Sequence, residues 1–186
     1  MMQIIDTSYD KVAAIIADKN IVAIYQGQSE AGPRALGNRS ILYDPRDPDG
    51  KDFVNKVKHR EWYRPFAASI MLEHAHDWFD MQSLKESPYM MYAVDTFENK
   101  QNFIPCVVHV DGTCRIQTVT KDQNKHFYKL IESFYNLTTI PLLFNTSFNL
   151  AGETIIETEE EAINILHRSD INYLYLPEKS KLYIEK

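Results

Sequence analysis

The chain has only two cysteines in 186 residues, Cys106 and Cys114, too few and too close together for a disulfide framework or a closed zinc site. They read as two small, semi-buried thiols. No stretch approaches the roughly 18 apolar residues of a membrane span. The amino terminus, Met1-Met-Gln-Ile-Ile-Asp6, lacks a charged region ahead of a long apolar run, so a cytoplasmic protein with no membrane partner is expected. An excess of positive charge is missing too: 20 lysines and arginines face 26 aspartates and glutamates, a formal net charge of -6. Cationic contacts to phosphate dominate nucleic-acid affinity, so a nucleic-acid partner is not expected. There is no low-complexity tract and no internal repeat.

Apolar content of 44% and charged content of 25% are those of a globular protein long enough to bury its own core, which points to one domain over residues 1–186. Residues 8–18 carry Ser8 as a cap and Val12, Ile15 and Ile16 at helical spacing, followed by a buried-strand run from Ile21 to Tyr25. A Gly- and Pro-bearing loop comes next, and extended structure resumes at Ile41–Tyr43. The spacing predicts a helix over 52–60 with Phe53 and Val57 on one face, a strand over 66–71 and a loop over 74–87. Strands follow at 89–94, 106–110 and 115–119, the last two joined by an Asp111-Gly112 turn. Phe127, Leu130, Ile131 and Phe134 form an amphipathic face within 124–136, and Ile140–Phe144 suits a buried strand. Thr158 and Glu161 form a capping box opening a helix to about Arg168, and strands at 173–176 and 182–184 close the chain. The fold class expected is α/β (α+β), a mixed sheet flanked by about four helices, with seven or eight strands.

Four segments carry candidate chemistry. Five of the seven arginines lie within three of them, an uneven placement of the donors best suited to a phosphate or carboxylate. The first is Glu30-Ala-Gly-Pro-Arg-Ala-Leu-Gly-Asn-Arg-Ser40. Its glycine spacing imitates a phosphate-binding P-loop, but Asn38 and Arg39 stand where that motif needs Lys and Ser/Thr. Arg34 and Arg39 can instead offer forked donors, or the segment can be a structural turn with solvated arginines. The second, Lys56 to Phe66, puts Lys58, Arg60 and Arg64 within seven residues beside Trp62, Tyr63 and Phe66, whose rings can fix a guanidinium's direction. A solvated helix face is the alternative. In the third, Arg115 lies just past the Asp111-Gly112 turn, able to point into a cleft or across a strand surface. The fourth, Asn145-Thr-Ser-Phe-Asn149, can cap a turn or bind phosphate and sugar oxygens at the mouth of a sheet. His74, His76 and Asp77 are too few for a metal site, so none is expected, and His109 is expected only to support its neighbours.

Taken in order, these segments resemble the carboxy-terminal, YrdC-like domain of O-carbamoyltransferases of the nodulation and antibiotic-modifying type. The matching stretches are Glu30–Leu42, Val57–Phe66, His109–Val119 and Pro141–Asn149, followed by Gly152-Glu-Thr-Ile155. The resemblance includes the paired signatures Lys58-x-Arg60 and Ser147-x-Asn149 of YrdC-like nucleotide sites. It implies a YrdC-like fold that uses carbamoyl phosphate and ATP, with Mg2+ as the nucleotide's counterion, to form a carbamoyl-adenylate. It also implies that Lys58, Arg64, Arg34, Arg115 and Ser147 surround the reacting phosphates, with Arg39, Arg60, Asn145, Thr146 and Asn149 assisting in binding substrate or nucleotide. Ala31 and Ala68 depart from the family, which usually has an aromatic residue and a proline there. The family's amino-terminal, Kae1-like transfer domain has no counterpart in these residues, which leaves three readings open: one half of a split enzyme with a separate Kae1-like transferase subunit as partner, a truncated chain, or a stand-alone adenylating module. A non-catalytic module binding nucleotide or carbamoyl phosphate is the alternative.

Overall fold

In the computed structural model, which describes residues 2–185, the apolar runs become ten strands. They are β1 (Gln3–Asp6), β2 (Val22–Tyr25), β3 (Arg39–Tyr43), β4 (Ala67–Met71), β5 (Phe79–Asp80), β6 (Tyr92–Thr96), β7 (Thr113–Val119), β8 (Leu142–Ser147), β9 (Tyr173–Leu176) and β10 (Lys181–Ile184). The helices are α1 (Tyr9–Ala17), α2 (Gly50–Val57), α3 (Ala75–Trp78), α4 (Glu98–Gln101), α5 (Lys125–Thr138) and α6 (Glu159–His167). All ten strands join one mixed sheet in the order β1-β10-β9-β2-β3-β8-β4-β7-β6-β5. Only β2 with β9 and β4 with β7 pair in parallel. The expected α/β class is observed.

Burial explains the centre of the sheet. Strands β3 and β4 are buried at every residue, so both faces of the sheet are covered there, and the polar Arg39 and Ser40 that open β3 are buried with the apolar residues that follow. Helix α5 starts where the Asn124 side chain accepts from the Phe127 amide, and it stops at Thr139 in a left-handed conformation (φ 64°). Its Phe127, Leu130, Ile131 and Phe134 are fully buried, each worth about 1.5–3 kcal/mol of apolar transfer. The Thr158–Glu161 capping box opens α6, both of its reciprocal bonds being present.

Several expected elements differ. Residues 106–110 form turns rather than a strand, because β7 pairs with β6 on one side and β4 on the other. Cys106 and Val107 are apolar because they pack inward from those turns. Helix α2 ends at Val57, and its buried face is Gly50, Val54 and Val57, leaving Phe53 half exposed against Tyr43. Gly50 is needed there, since a Cβ would lie 2.6 Å from the Tyr43 ring. The stretch 74–87 is not plain loop: it holds α3 and β5, elements too short for periodicity to reveal.

Candidate active site

Strand register gathers the candidate residues at one end of the sheet. Ala67 of β4 lies opposite Arg115 of β7 and Asn145 of β8, and Ser40 of β3 lies opposite Ser147. Directly paired residues share a face, so Arg115 and Asn145 flank the small Ala67 on the same side. The starts of β3, β4 and β7 thus meet the end of β8.

Two cavities open there. The larger, about 340 Å³, is lined by Lys58, Arg60, Glu61, Arg64, Ser147, Asn149 and the segment 150–153. The smaller, about 70 Å³, is lined by the loop 33–35 with Arg34, then Arg60, Met90, Arg115 and residues 145–147. Arg60 and Ser147 belong to both, so the cavities adjoin. Nine of the ten expected site residues are brought together.

The end of α2 aims the Lys58-x-Arg60 pair. His59 is left-handed (φ 53°), its amide donates to Lys56, and the Arg60 amide donates to Asn55 at 2.8 Å. This is a Schellman cap with histidine in the place glycine usually takes. The buried Asn55 side chain then donates to the carbonyls of Trp62 and Arg64, fixing the loop that follows. The Lys58 ammonium is buried and donates to the Ser147 carbonyl, to the Asn149 carbonyl at 2.8 Å and to Asn149 Oδ1 at 3.1 Å. Ser147 Oγ donates to the same Oδ1 at 2.7 Å. Although these oxygens favour the ammonium, burial and then the Arg60 charge push its pKa down to about 7.

Only part of the expected aromatic support is present. Arg60 lies 4.6 Å over the Phe66 ring, whereas Trp62 and Tyr63 stand out in solvent. Arg64 pairs with Glu61 at 2.6 Å on the cavity rim.

The arginine loop is folded by groups that spacing did not single out. Glu30 Oε1 accepts from the amides of Leu36 at 2.6 Å and Asn38 at 2.9 Å. Gln26 donates to the Gly37 carbonyl, Asn145 to that of Ala35 and Gln117 to that of Leu36. Gly37 (φ +109°) touches the Phe127 ring, which a Cβ would meet at 2.3 Å. Asn145 therefore acts through its amide as a buried strut shared with Ser69 and Gln117. The signal available for Gln117 was its place two residues beyond Arg115, on the same strand face.

Arg39 departs from its expected nucleotide contact. Being in β3, it turns away from the cavities, lies 3.8 Å over the Tyr25 ring and donates to four carbonyls, those of Gln26, Gly27, Asn38 and Glu157. Its fork is occupied by backbone. The guanidiniums of Arg34 and Arg115, by contrast, have no hydrogen bond or ion pair with any described residue, and Arg115 Nε is buried without a partner. Burial and then the Arg34 charge lower the Arg115 pKa. For Arg60 burial comes first, followed by Arg64 and Arg115. Arg34, Arg60 and Arg115 have no carboxylate within ion-pair distance, and Glu61, paired with Arg64, offsets only part of the repulsion on Arg60, an arrangement that an anion would relieve. His109 bridges Thr113 and the Phe66 carbonyl and supports the start of β4. Among the described residues no group of three or more His, Cys, Asp or Glu could hold a metal ion, and no helix is long and apolar enough to cross a membrane.

The family model of the carbamoyltransferase C-terminus matches residues 13–182. Nodulation protein NolNO of Sinorhizobium fredii is 43% identical over 171 residues, covering 91% of this chain and 25% of that protein. The chain thus spans about a quarter of the length of this curated relative. Among solved structures, full-length HypF in its phosphate- and nucleotide-bound form superposes with a TM-score of 0.60 at 18% identity, over 92% of this chain and 21% of HypF. Sua5 of P. abyssi, complexed with L-threonine, gives 0.61 at 11% identity, over 91% of this chain and 46% of Sua5. The two likenesses establish the fold as YrdC-like.

Proposed function

The chain belongs to the carbamoyltransferase family, whose C-terminal domain it carries, and from that premise we propose that its cationic cleft binds carbamoyl phosphate and Mg2+-ATP and forms a carbamoyl-adenylate. The observation that carries this reading is the set of unpaired cations. Arg34, Arg60, Arg115 and Lys58 line two adjoining cavities without a carboxylate within ion-pair distance, while Glu61 and Glu153 are each paired with an arginine, Arg64 and Arg168. Two cavities sharing Arg60 and Ser147 suit two anions held side by side. HypF, a structural neighbour, is described as phosphate- and nucleotide-bound, which fits that use of the fold.

In this reading water attacks the phosphorus of carbamoyl phosphate, the bond from that phosphorus to the carbamoyl oxygen breaks to give inorganic phosphate and carbamate, and a carbamate oxygen then attacks the α-phosphorus of ATP. The bond from that phosphorus to the bridging oxygen breaks, and pyrophosphate departs. The protein supplies no nucleophile. Its contribution is to position the two anions and to offset charge on the phosphoryl oxygens with fixed guanidiniums and the Lys58 ammonium. Mg2+ would arrive with the nucleotide as part of the substrate. Transfer of the carbamoyl group to an acceptor would fall to a separate, Kae1-like domain or subunit.

The test is calorimetric binding of ATP and of carbamoyl phosphate, separately and together, to the wild-type chain and to Arg34→Met. The reading expects both ligands to bind and Arg34→Met to weaken carbamoyl phosphate more than ATP. Failure of both ligands to bind the wild type contradicts it.

A further inference from the structure

The larger cavity contains an acidic residue whose charge would oppose its use for an anion. Glu153 lines that cavity and also the neighbouring cleft formed by Thr154, Ile156, Glu161, Asn164 and Arg168. It therefore stands in the wall between the two. Its carboxylate is turned to the far side, where Arg168 at the end of α6 grips it with both nitrogens, Nη1 to Oε1 at 2.6 Å and Nη2 to Oε2 at 2.8 Å. The wall itself stays in place through main-chain contacts. Asn149 donates to the Glu153 carbonyl at 2.7 Å, and the Ala151 amide donates to the Lys58 carbonyl at 3.0 Å. The carboxylate adds only a long 3.4 Å contact from the Leu150 amide. Holding the loop is thus mostly the work of backbone.

The geometry points to Arg168 as a positioning residue that keeps the Glu153 carboxylate out of the anion's place beside Lys58, Arg60 and Arg64. Without its bidentate partner, the carboxylate is free to rotate into the cavity. There it would meet Lys58 and Arg60, which have no carboxylate within ion-pair distance, and act as an internal competitor for the phosphate groups. Arg168 makes no hydrogen bond or ion pair with a cavity cation and does not line the larger cavity, so it acts through Glu153 alone. This inference rests on the nucleotide reading of the site.

A double-mutant cycle on ATP affinity tests it, with the wild-type chain, Arg168→Met, Glu153→Gln and the double variant compared at low salt. Arg168→Met should weaken ATP binding about tenfold, the effect of one uncompensated charge beside a partly exposed site. Adding Glu153→Gln to Arg168→Met should restore most of the loss, so that the Arg168→Met effect is much smaller in the Glu153→Gln background than in the wild type. A purely structural role for Arg168 predicts no such rescue. A double variant as weak as Arg168→Met, or an Arg168→Met chain that binds like wild type, overturns the inference. Failure of the wild type to bind either ATP or pyrophosphate would instead overturn the nucleotide reading, and this inference with it.

Discussion

Replacing Arg115 with methionine separates a binding cation from a structural one. The guanidinium has no protein partner, its Nε is buried, and after burial the Arg34 charge does most to disfavour its own. Methionine keeps most of the apolar stem packed between Ala67 and Ala93 while deleting the charge. In the free chain the loss relieves burial and repulsion, so stability should rise by about 0.5–1 kcal/mol, a gain of about 1–4 °C in Tm for a chain of this size. In the complex the same change removes charge-assisted hydrogen bonds of about 1.5–3 kcal/mol, an affinity loss of about 10- to 100-fold. Thermal unfolding without ligand, paired with calorimetric titration of carbamoyl phosphate, reads both effects. A lower Tm together with unchanged affinity would refute the reasoning and make Arg115 a structural residue.

Three further outcomes are expected. Arg39→Ala should do the reverse of Arg115→Met: uncovering four carbonyls should cost about 2–4 kcal/mol by denaturant unfolding while the molecules that remain folded bind ATP normally, and a selective loss of binding would return Arg39 to the site. Lys58, lowered to about 7 from 10.5, binds fewer protons folded than unfolded between those values. Its contribution to stability therefore rises as pH climbs from 7 to 10.5. An anion raises its pKa again, so ATP affinity should fall above pH 7 and binding should take up to about one proton. Calorimetry in buffers of different ionisation enthalpy measures that uptake, which Lys58→Met should abolish. Gly37→Ala combines a left-handed φ with a Cβ 2.3 Å from the Phe127 ring, and should destabilise by about 2–4 kcal/mol in thermal or urea unfolding.

How far the sequence disclosed this molecule depended on the range of the interaction involved. The face of α5 and the capping box of α6 were legible because their signals repeat within a few residues. The run Cys106–Val110 misled because inward-packed turns and buried strands use the same apolar residues, and only strand pairing tells them apart. At the site, arginine spacing located the cavity walls but not the direction of each side chain. Arg39 and Arg34 sit in one loop motif, yet strand alternation and the carbonyls around Tyr25 claim Arg39, while Arg34 stays free. Glu30, Asn55 and Gln117 were missed for a related reason. Each acts on backbone that only the fold brings near it.

Pyrophosphate exchange into ATP, measured with the wild-type chain in the presence and absence of carbamoyl phosphate, tests the central claim most directly. Exchange that requires carbamoyl phosphate and Mg2+ and disappears in Lys58→Met is the result expected of a domain that forms a carbamoyl-adenylate. No exchange from a chain that binds both ligands would contradict that account and leave a binding module without turnover of its own.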